Sequence, residues 1–282
     1  MANWRLSAIQ LTSTPEPSEN LAQVERYLTE LQQAFADDIP HLVALPECFA
    51  VFGGRDGLQL KHMAPLGQGD IQHGCAALAK QFGVYLLAGS LPTTSPEPQR
   101  FSACSMLFAP DGSIVADYQK LHLFDVDVSD TTGSYRESQT TYPGQKITLA
   151  ALGELKLGMT VCYDVRFPGL MQALATQGMN LLSVPAAFTR VTGAAHWHTL
   201  LRARAIENQA FVLGCNRVGL DGNQFSYSGD SVALNYLGEP IAELPAGQAG
   251  ILTATLRLDD LLKFKQQFPA ALDADAFVFV DN

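Results

Sequence analysis

Three reactive residue types stand just past three apolar or hairpin segments: Glu47 after L-V-A-L-P, Lys120 after D-Y-Q, and Cys162 after L-K-L-G-M-T-V. A cysteine at a strand end, with a helix about to begin, has the makings of a nucleophile. Backbone N–H groups of the turn can face an oxyanion there, and the positive end of the helix favours a thiolate. A carboxylate directly after a buried strand is partly desolvated, which lifts its pKa toward the range of a general base. A lysine in the same place can hold a developing negative charge. Taken singly, each has a plainer reading: a buried structural cysteine, a solvated loop glutamate, a surface lysine. By the same standard Glu137, in the polar run Y-R-E-S-Q-T-T-Y-P-G, reads as a solvated residue. What singles out the first three is their order at successive strand ends, where α/β folds gather their ligand sites.

The elements that must position them are legible from periodicity. Residues 4–11 and 41–45 read as core strands, and Pro46 ends the second directly before Glu47. Between them Leu21, Val24, Leu28, Leu31 and Phe35 recur at helical spacing, with Ser18 placed to cap. A helix over 70–82 leads to a strand over 84–89. The run S-M-L-F-A-P-D-G-S-I-V-A-D-Y is a hairpin turning at Pro110-Asp111-Gly112, with Lys120 just beyond it. Residues 121–146 read as a long polar connection, of the sort that is often functional. A strand over 155–161 delivers Cys162, and Pro168 opens a helix to about Gly178. Further strands follow at 180–185, 210–215, 227–235, 239–244 and 250–257. Helices are expected at 195–208 and 258–266. Strand and helix alternate twice, and each half ends in a hairpin-rich segment, which predicts an α/β protein with helices covering sheet faces. No composition shift marks a linker, so residues 1–282 are read as one domain.

L-P-E, then Y-x-K-x-H-L-F, then C-Y-D-x-R-F-P resemble the three catalytic motifs of the nitrilase superfamily of carbon–nitrogen hydrolases, in order and with matching spacing. The run T-G-A-A-H-W-H-T-L-L-R-A-R-A-I-E-N adds a fourth match, so the resemblance covers nearly the whole chain. It implies a four-layer α-β-β-α sandwich that dimerises through the helices after the cysteine motif. It implies Cys162 as nucleophile, Glu47 as base, Lys120 as oxyanion stabiliser and Glu137 as the residue that orients the lysine and the base. Within the superfamily the motifs are most similar to the Nit-type amidases. That implies hydrolysis of deaminated glutathione, with 2-oxoglutaramate, an N-carbamoyl amine or a nitrile as alternatives. Two positions depart from the family pattern: Gly169 stands where glutamate is common after R-F-P, and Ala186 where serine is common in P-A-A-F.

Around this centre, the Tyr163 backbone N–H is a candidate oxyanion donor. Arg166 is a candidate for a substrate carboxylate, with pairing to Asp164 as its structural alternative. Arg202 and Arg204 point to different faces of their helix, so one could reach a substrate carboxylate while the other pairs with Glu207 or with a partner subunit. Phe188, Thr192 and Tyr227 are candidate pocket lining, and His196 and Trp197 could shape the pocket wall. His122 lies two residues past Lys120, so spacing leaves open a Cys–His pair; a zinc site of Cys162 and His122 is a further alternative that no ligand spacing supports. A catalytically silent binding module is the remaining alternative.

Bulk properties narrow the partners. At 282 residues a chain buries roughly 75% of its extended surface, enough for a full core. A net charge of −10 disfavours nucleic acid. No apolar run approaches the ~20 residues of a bilayer span, and the first residues carry no secretory pattern. The five cysteines are scattered and odd in number, which argues against a disulfide framework. The expectations are a cytoplasmic enzyme acting on a small-molecule amide, without metal or organic cofactor, as a homodimer or higher homo-oligomer.

Overall fold

The computed structural model describes residues 3–53, 57–127, 134–220 and 226–270. Two six-stranded sheets form its centre. The first is assembled from β1 (Asn3–Gln10), β2 (His41–Ala44), β3 (Tyr85–Thr94), β4 (Phe101–Phe108), β5 (Ile114–Gln119) and β16 (Gly250–Arg257), in the order β16-β1-β2-β3-β4-β5. The second holds β8 (Thr148–Leu152), β9 (Leu155–Met159), β10 (Leu181–Ala186), β11 (Phe211–Asn216), β14 (Val232–Leu234) and β15 (Pro240–Glu243), in the order β15-β14-β11-β10-β9-β8. β1, β2 and β3 are parallel neighbours, as are β9, β10 and β11, while hairpin partners add antiparallel edges.

Alternation along each strand explains the layering. Leu6, Ala8, Leu42, Ala44 and Leu87 point to one face and meet Leu157, Met159, Leu181 and Leu213 of the other sheet. The intervening Ile9, Val43, Leu86 and Ala88 point the other way. There they pack under α1 (Pro17–Ala34), through Val24 and Leu28, and α2 (Asp70–Phe82), through Cys75 and Leu78. Leu182, Val184 and Val212 likewise pack under α3 (Pro168–Thr176) and α4 (Arg190–Asn208). Because strand side chains have a period of two, near-continuous apolar strands buried on both faces are what a four-layer sandwich requires. The expected α-β-β-α arrangement is the one observed. α5 (Leu258–Gln267) closes the described chain, and the tail after residue 270 lies outside the described residues.

Several expected elements shift. α1 starts at Pro17 with Glu16 at its cap, so Ser18 sits inside the helix. A proline fits the first helical turn, whose N–H groups have no intrahelical partner. α4 begins at Arg190, five residues before the expected start. The connection over 121–146 is not structureless. It contains the short hairpin β6 (Asp125–Asp127) with β7 (Ser134–Arg136) and a 3-10 turn over Glu137–Gln139. The expected strand over 227–235 is two pieces, β13 (Ser226–Ser228) and β14, with β13 paired to β12 (Val218–Leu220).

Two glycines permit unusually close approaches beside the segments of interest. A Cβ on Gly89, whose φ is +26°, would lie 1.9 Å from the Pro46 carbonyl oxygen. A Cβ on Gly144 would lie 2.1 Å from the Gln119 carbonyl oxygen. Each contact falls on the residue immediately before Glu47 or Lys120.

Candidate active site

Glu47 follows β2, Lys120 follows β5 and Cys162 follows β9 after two residues, so two of the three come from one sheet and the third from the other. All three line one cavity of about 110 Å³, together with Glu137. Lys120 Nζ donates to Glu47 Oε1 at 2.8 Å and to Glu137 Oε1 and Oε2 at 3.0 and 2.9 Å. The Phe124 backbone N–H donates to Glu137 Oε2 at 2.6 Å, and the Glu137 N–H returns a bond to the Phe124 carbonyl at 3.3 Å. Glu137 is thus locked at the base of the β6–β7 hairpin. The reading of it as a solvated residue is corrected: it is an ion-pair partner of a lysine that is 2% exposed.

Burial works against the Lys120 charge, but Glu137 and Glu47 outweigh it and hold the ammonium well above its usual pKa. Burial raises Glu137, against the pull of Lys120. At Cys162 burial comes first and the facing Glu47 charge second. Together they hold the thiol well above its usual value, with Lys120 pulling the other way. The expectation of a helix-favoured thiolate therefore does not hold for the resting site. These surroundings favour the thiol form of Cys162.

Cys162 has a φ of +50°, in the left-handed region, and opens a 3-10 turn over Cys162–Arg166. A non-glycine residue there costs of order 1–3 kcal/mol and persists only when its surroundings dictate it. Here Asp164, fully buried, does much of the dictating. Its Oδ2 accepts the Val161 N–H at 2.9 Å and the Tyr118 hydroxyl at 2.8 Å. Its Oδ1 accepts the His122 N–H at 3.1 Å and lies 2.8 Å from His122 Nδ1. The His122 ring is stacked on Phe167, with centroids 3.5 Å apart. His122 is thereby committed to Asp164, which removes the basis for a Cys–His pair. Among the described residues no three His, Cys, Asp or Glu side chains converge as metal ligands would.

The remaining candidates separate cleanly. Tyr163, Arg166, Phe188, Thr192 and Tyr227 line the cavity. Arg166 does not brace Asp164, whose oxygens are already taken. Its guanidinium lies over the Tyr163 and Phe188 rings, and its Nη1 is 3.1 Å from His196 Nδ1. His196 does not line the cavity and reaches it through Arg166. Trp197 is fully buried, with Nε1 bonded to the Asp230 carbonyl, and belongs to the core beneath the wall. Arg204 bonds the Val165 carbonyl at 2.8 Å and pairs with Glu207. Ala186 is buried in the core and Gly169 is exposed with open space around it, so neither departure from the family pattern lines the cavity.

The structure adds residues that sequence reasoning missed. Phe52, Gln59 and Tyr135 line the cavity. Cys48, at φ +54°, donates its backbone N–H to Ser90 Oγ at 2.9 Å. Phe52 and Tyr227 also flank the buried Arg217 guanidinium, which lies 3.5 Å and 4.7 Å from their ring centroids. The one signal in the sequence for Tyr118 and Asp164 was position. Each stands two residues from a reactive residue: Tyr118, on extended β5, faces the same way as Lys120, whereas Asp164 shares the 3-10 turn that Cys162 opens.

The carbon–nitrogen hydrolase family profile matches residues 5–266. Over 270 residues the chain is 39% identical to deaminated glutathione amidase of Yersinia enterocolitica, covering 95% of this chain and 92% of that protein. It is 33% identical to omega-amidase NIT2 of Xenopus tropicalis, covering 95% and 94%. The structure of Saccharomyces cerevisiae Nit3, a member of branch 10 of the nitrilase superfamily, superposes with a TM-score of 0.83 at 28% identity, covering 95% of each chain. With a match along most of its length in profile, sequence and fold, the chain belongs to the carbon–nitrogen hydrolase family.

Proposed function

We propose that this chain is an amidase that hydrolyses deaminated glutathione to 2-oxoglutarate and cysteinylglycine through a thioester on Cys162. The observation that carries the reading is the Lys120 ammonium gripped by Glu47 and Glu137 in the cavity that also holds Cys162. The Yersinia relative's name supports the substrate.

The steps follow from the geometry. Glu47 takes the Cys162 proton as sulfur attacks the amide carbon. Lys120, aided by the Tyr163 backbone N–H, holds the oxyanion, a contribution typically worth about 3–4 kcal/mol per donor. The carbon–nitrogen bond breaks, the leaving amine takes the proton from Glu47, and a thioester remains. Water, losing its proton to Glu47, attacks the thioester. The acid leaves and the thiol is restored. Glu137 keeps Lys120 aimed throughout. Arg166, with no carboxylate partner among the described residues and lining the same cavity as Thr192, receives the carboxylate of a 2-oxo acid, and His196 steadies it.

Val191 and Ile206 stand exposed on α4, which suits a homodimer packed on that helix. Five free cysteines suit the cytoplasm. No described helix is long and apolar enough to cross a membrane.

The test is release of 2-oxoglutarate from deaminated glutathione and, separately, from 2-oxoglutaramate, by wild type and by Cys162→Ala. Preference for the peptide-like amide, lost in the variant, supports the reading. Preference for 2-oxoglutaramate keeps the mechanism and moves the substrate to that of the omega-amidase relatives. Turnover that survives Cys162→Ala would sink the thioester.

A further inference from the structure

Asp164 belongs to the cysteine turn, yet most of what it holds belongs to another segment. An aspartate at the third position of a helical turn commonly accepts the N–H at the turn's start, and Asp164 does this for Val161. That bond alone would be ordinary capping. The other three donors are the Tyr118 hydroxyl, the His122 N–H and His122 Nδ1. Tyr118 and His122 stand two residues before and two residues after Lys120. The Tyr118 hydroxyl also accepts the Leu121 N–H at 3.3 Å, so the grip closes on the far side of the lysine. All this converges on a carboxylate with no exposure to solvent. A buried carboxylate is costly unless its oxygens are satisfied, and these four donors satisfy both.

We propose that Asp164 is a positioning residue for the reaction: its carboxylate fastens the turn that carries Cys162 to the two residues that flank Lys120, and so sets the place of nucleophile and oxyanion lysine relative to each other. Asp164 touches neither substrate nor sulfur in this role. It acts through Val161, which fixes the left-handed Cys162, and through Tyr118 and His122, which fix the strand end. The two sheets contribute one member each, and Asp164 spans them at the point where misplacement matters most. A displacement of about 1 Å between reacting groups can cost 100-fold in rate. The inference rests on Cys162 and Lys120 acting as proposed above.

Asparagine fits the space but not the bonding. Each oxygen of Asp164 accepts a backbone N–H, from Val161 on one side and His122 on the other. Whichever way the amide is turned, its NH2 faces a backbone donor, so Asp164→Asn loosens one side of the fastening. Tyr118→Phe is the milder cut, since it removes a single hydroxyl.

The experiment compares wild type, Asp164→Asn, Tyr118→Phe and the double variant. It measures kcat and KM on deaminated glutathione, and the rate at which iodoacetamide alkylates Cys162, read by mass spectrometry on its peptide. Thermal unfolding checks the fold. The expected result for folded Asp164→Asn is a 10- to 100-fold loss of kcat with KM within threefold, and slower alkylation as Lys120 drifts from the sulfur. Tyr118→Phe loses 3- to 10-fold, and the double variant is within twofold of Asp164→Asn, because the hydroxyl works through the carboxylate. A lowered Tm with kcat and alkylation within twofold of wild type overturns the proposal, as does a rise confined to KM. If Asp164→Asn does not fold, Tyr118→Phe decides by the same limits. If wild type turns over no amide, the amidase reading fails on its own, and the alkylation rates still report on the fastening.

Discussion

Lys120 and Cys162 respond to Glu47 in opposite ways, and that opposition separates a base from a bystander. The Glu47 carboxylate supports the ammonium charge and suppresses the thiolate. If Glu47 also moves the proton, Glu47→Gln produces two effects of opposite sign. Turnover falls by about 10²–10⁴, the usual worth of general acid–base help. Alkylation of Cys162 by iodoacetamide at pH 7–8 becomes faster, because the charge that raised the thiol pKa is gone while Lys120 remains. Steady-state kinetics and peptide mass spectrometry on one preparation read both. Loss of turnover together with slower alkylation would mean that the substitution had disrupted the site instead of removing a base.

Elements place these side chains through backbone contacts that leave no room for a Cβ. Gly89 on β3 presses on Pro46, and Gly144 presses on Gln119. A methyl group at either point pushes away the residue that carries Glu47 or Lys120. Gly89→Ala is expected to lower kcat by about 100-fold, the cost of a misplaced catalytic group. Gly169, by contrast, is a helical glycine of α3 with open space around it. Gly169→Ala is expected to raise stability by about 0.5–1 kcal/mol with kcat unchanged, by removing backbone freedom from the unfolded chain. Urea unfolding and an activity assay check the pair, and a destabilised Gly169→Ala would contradict the open surroundings. Much of this scale was legible in advance. The spacing around Leu21, Val24 and Leu28 gave α1, and Pro110-Asp111-Gly112 gave the β4–β5 turn. β8 was missed because T-L-A-A-L is short and holds a single β-branched residue, Thr148. The start of α4 was missed because Gly193 weakens the helical pattern there, although Thr189 and Thr192 share a hydrogen bond at the helix start. Glu137 gave no local signal at all. Its role depends on a partner 17 residues away, across a hairpin that polar residues disguise.

At the scale of the molecule, pH acts on the sandwich away from the cavity. His41 on β2 is held near Arg5, Asp37 and the Phe35 ring, with its Nε2 2.8 Å from Ser7 Oγ, which in turn meets Thr253 Oγ1 of β16. Burial, then the Arg5 charge, push its pKa down from 6.5 to about 4. Above 6.5 both folded and unfolded chains hold it neutral. Between 6.5 and about 4 the unfolded chain binds a proton that the folded chain refuses, so stability falls as pH falls through that window, by up to about 3 kcal/mol. Urea midpoints at pH 7.5 and 4.5 are expected to differ less in His41→Gln than in wild type. Equal differences would place the acid sensitivity elsewhere. The sandwich has a further consequence. Glu47 and Lys120 hang from one sheet and Cys162 from the other, across the seam filled by Leu87, Leu107, Leu157 and Met159. With the roles proposed for these three residues, turnover is a ruler laid across that seam. Trimming Leu157 thins what the ruler measures, whereas trimming Leu28 on the buried face of α1 weakens the protein and leaves the reading alone. The rate of amide cleavage becomes a gauge of how two layers of β-structure are spaced.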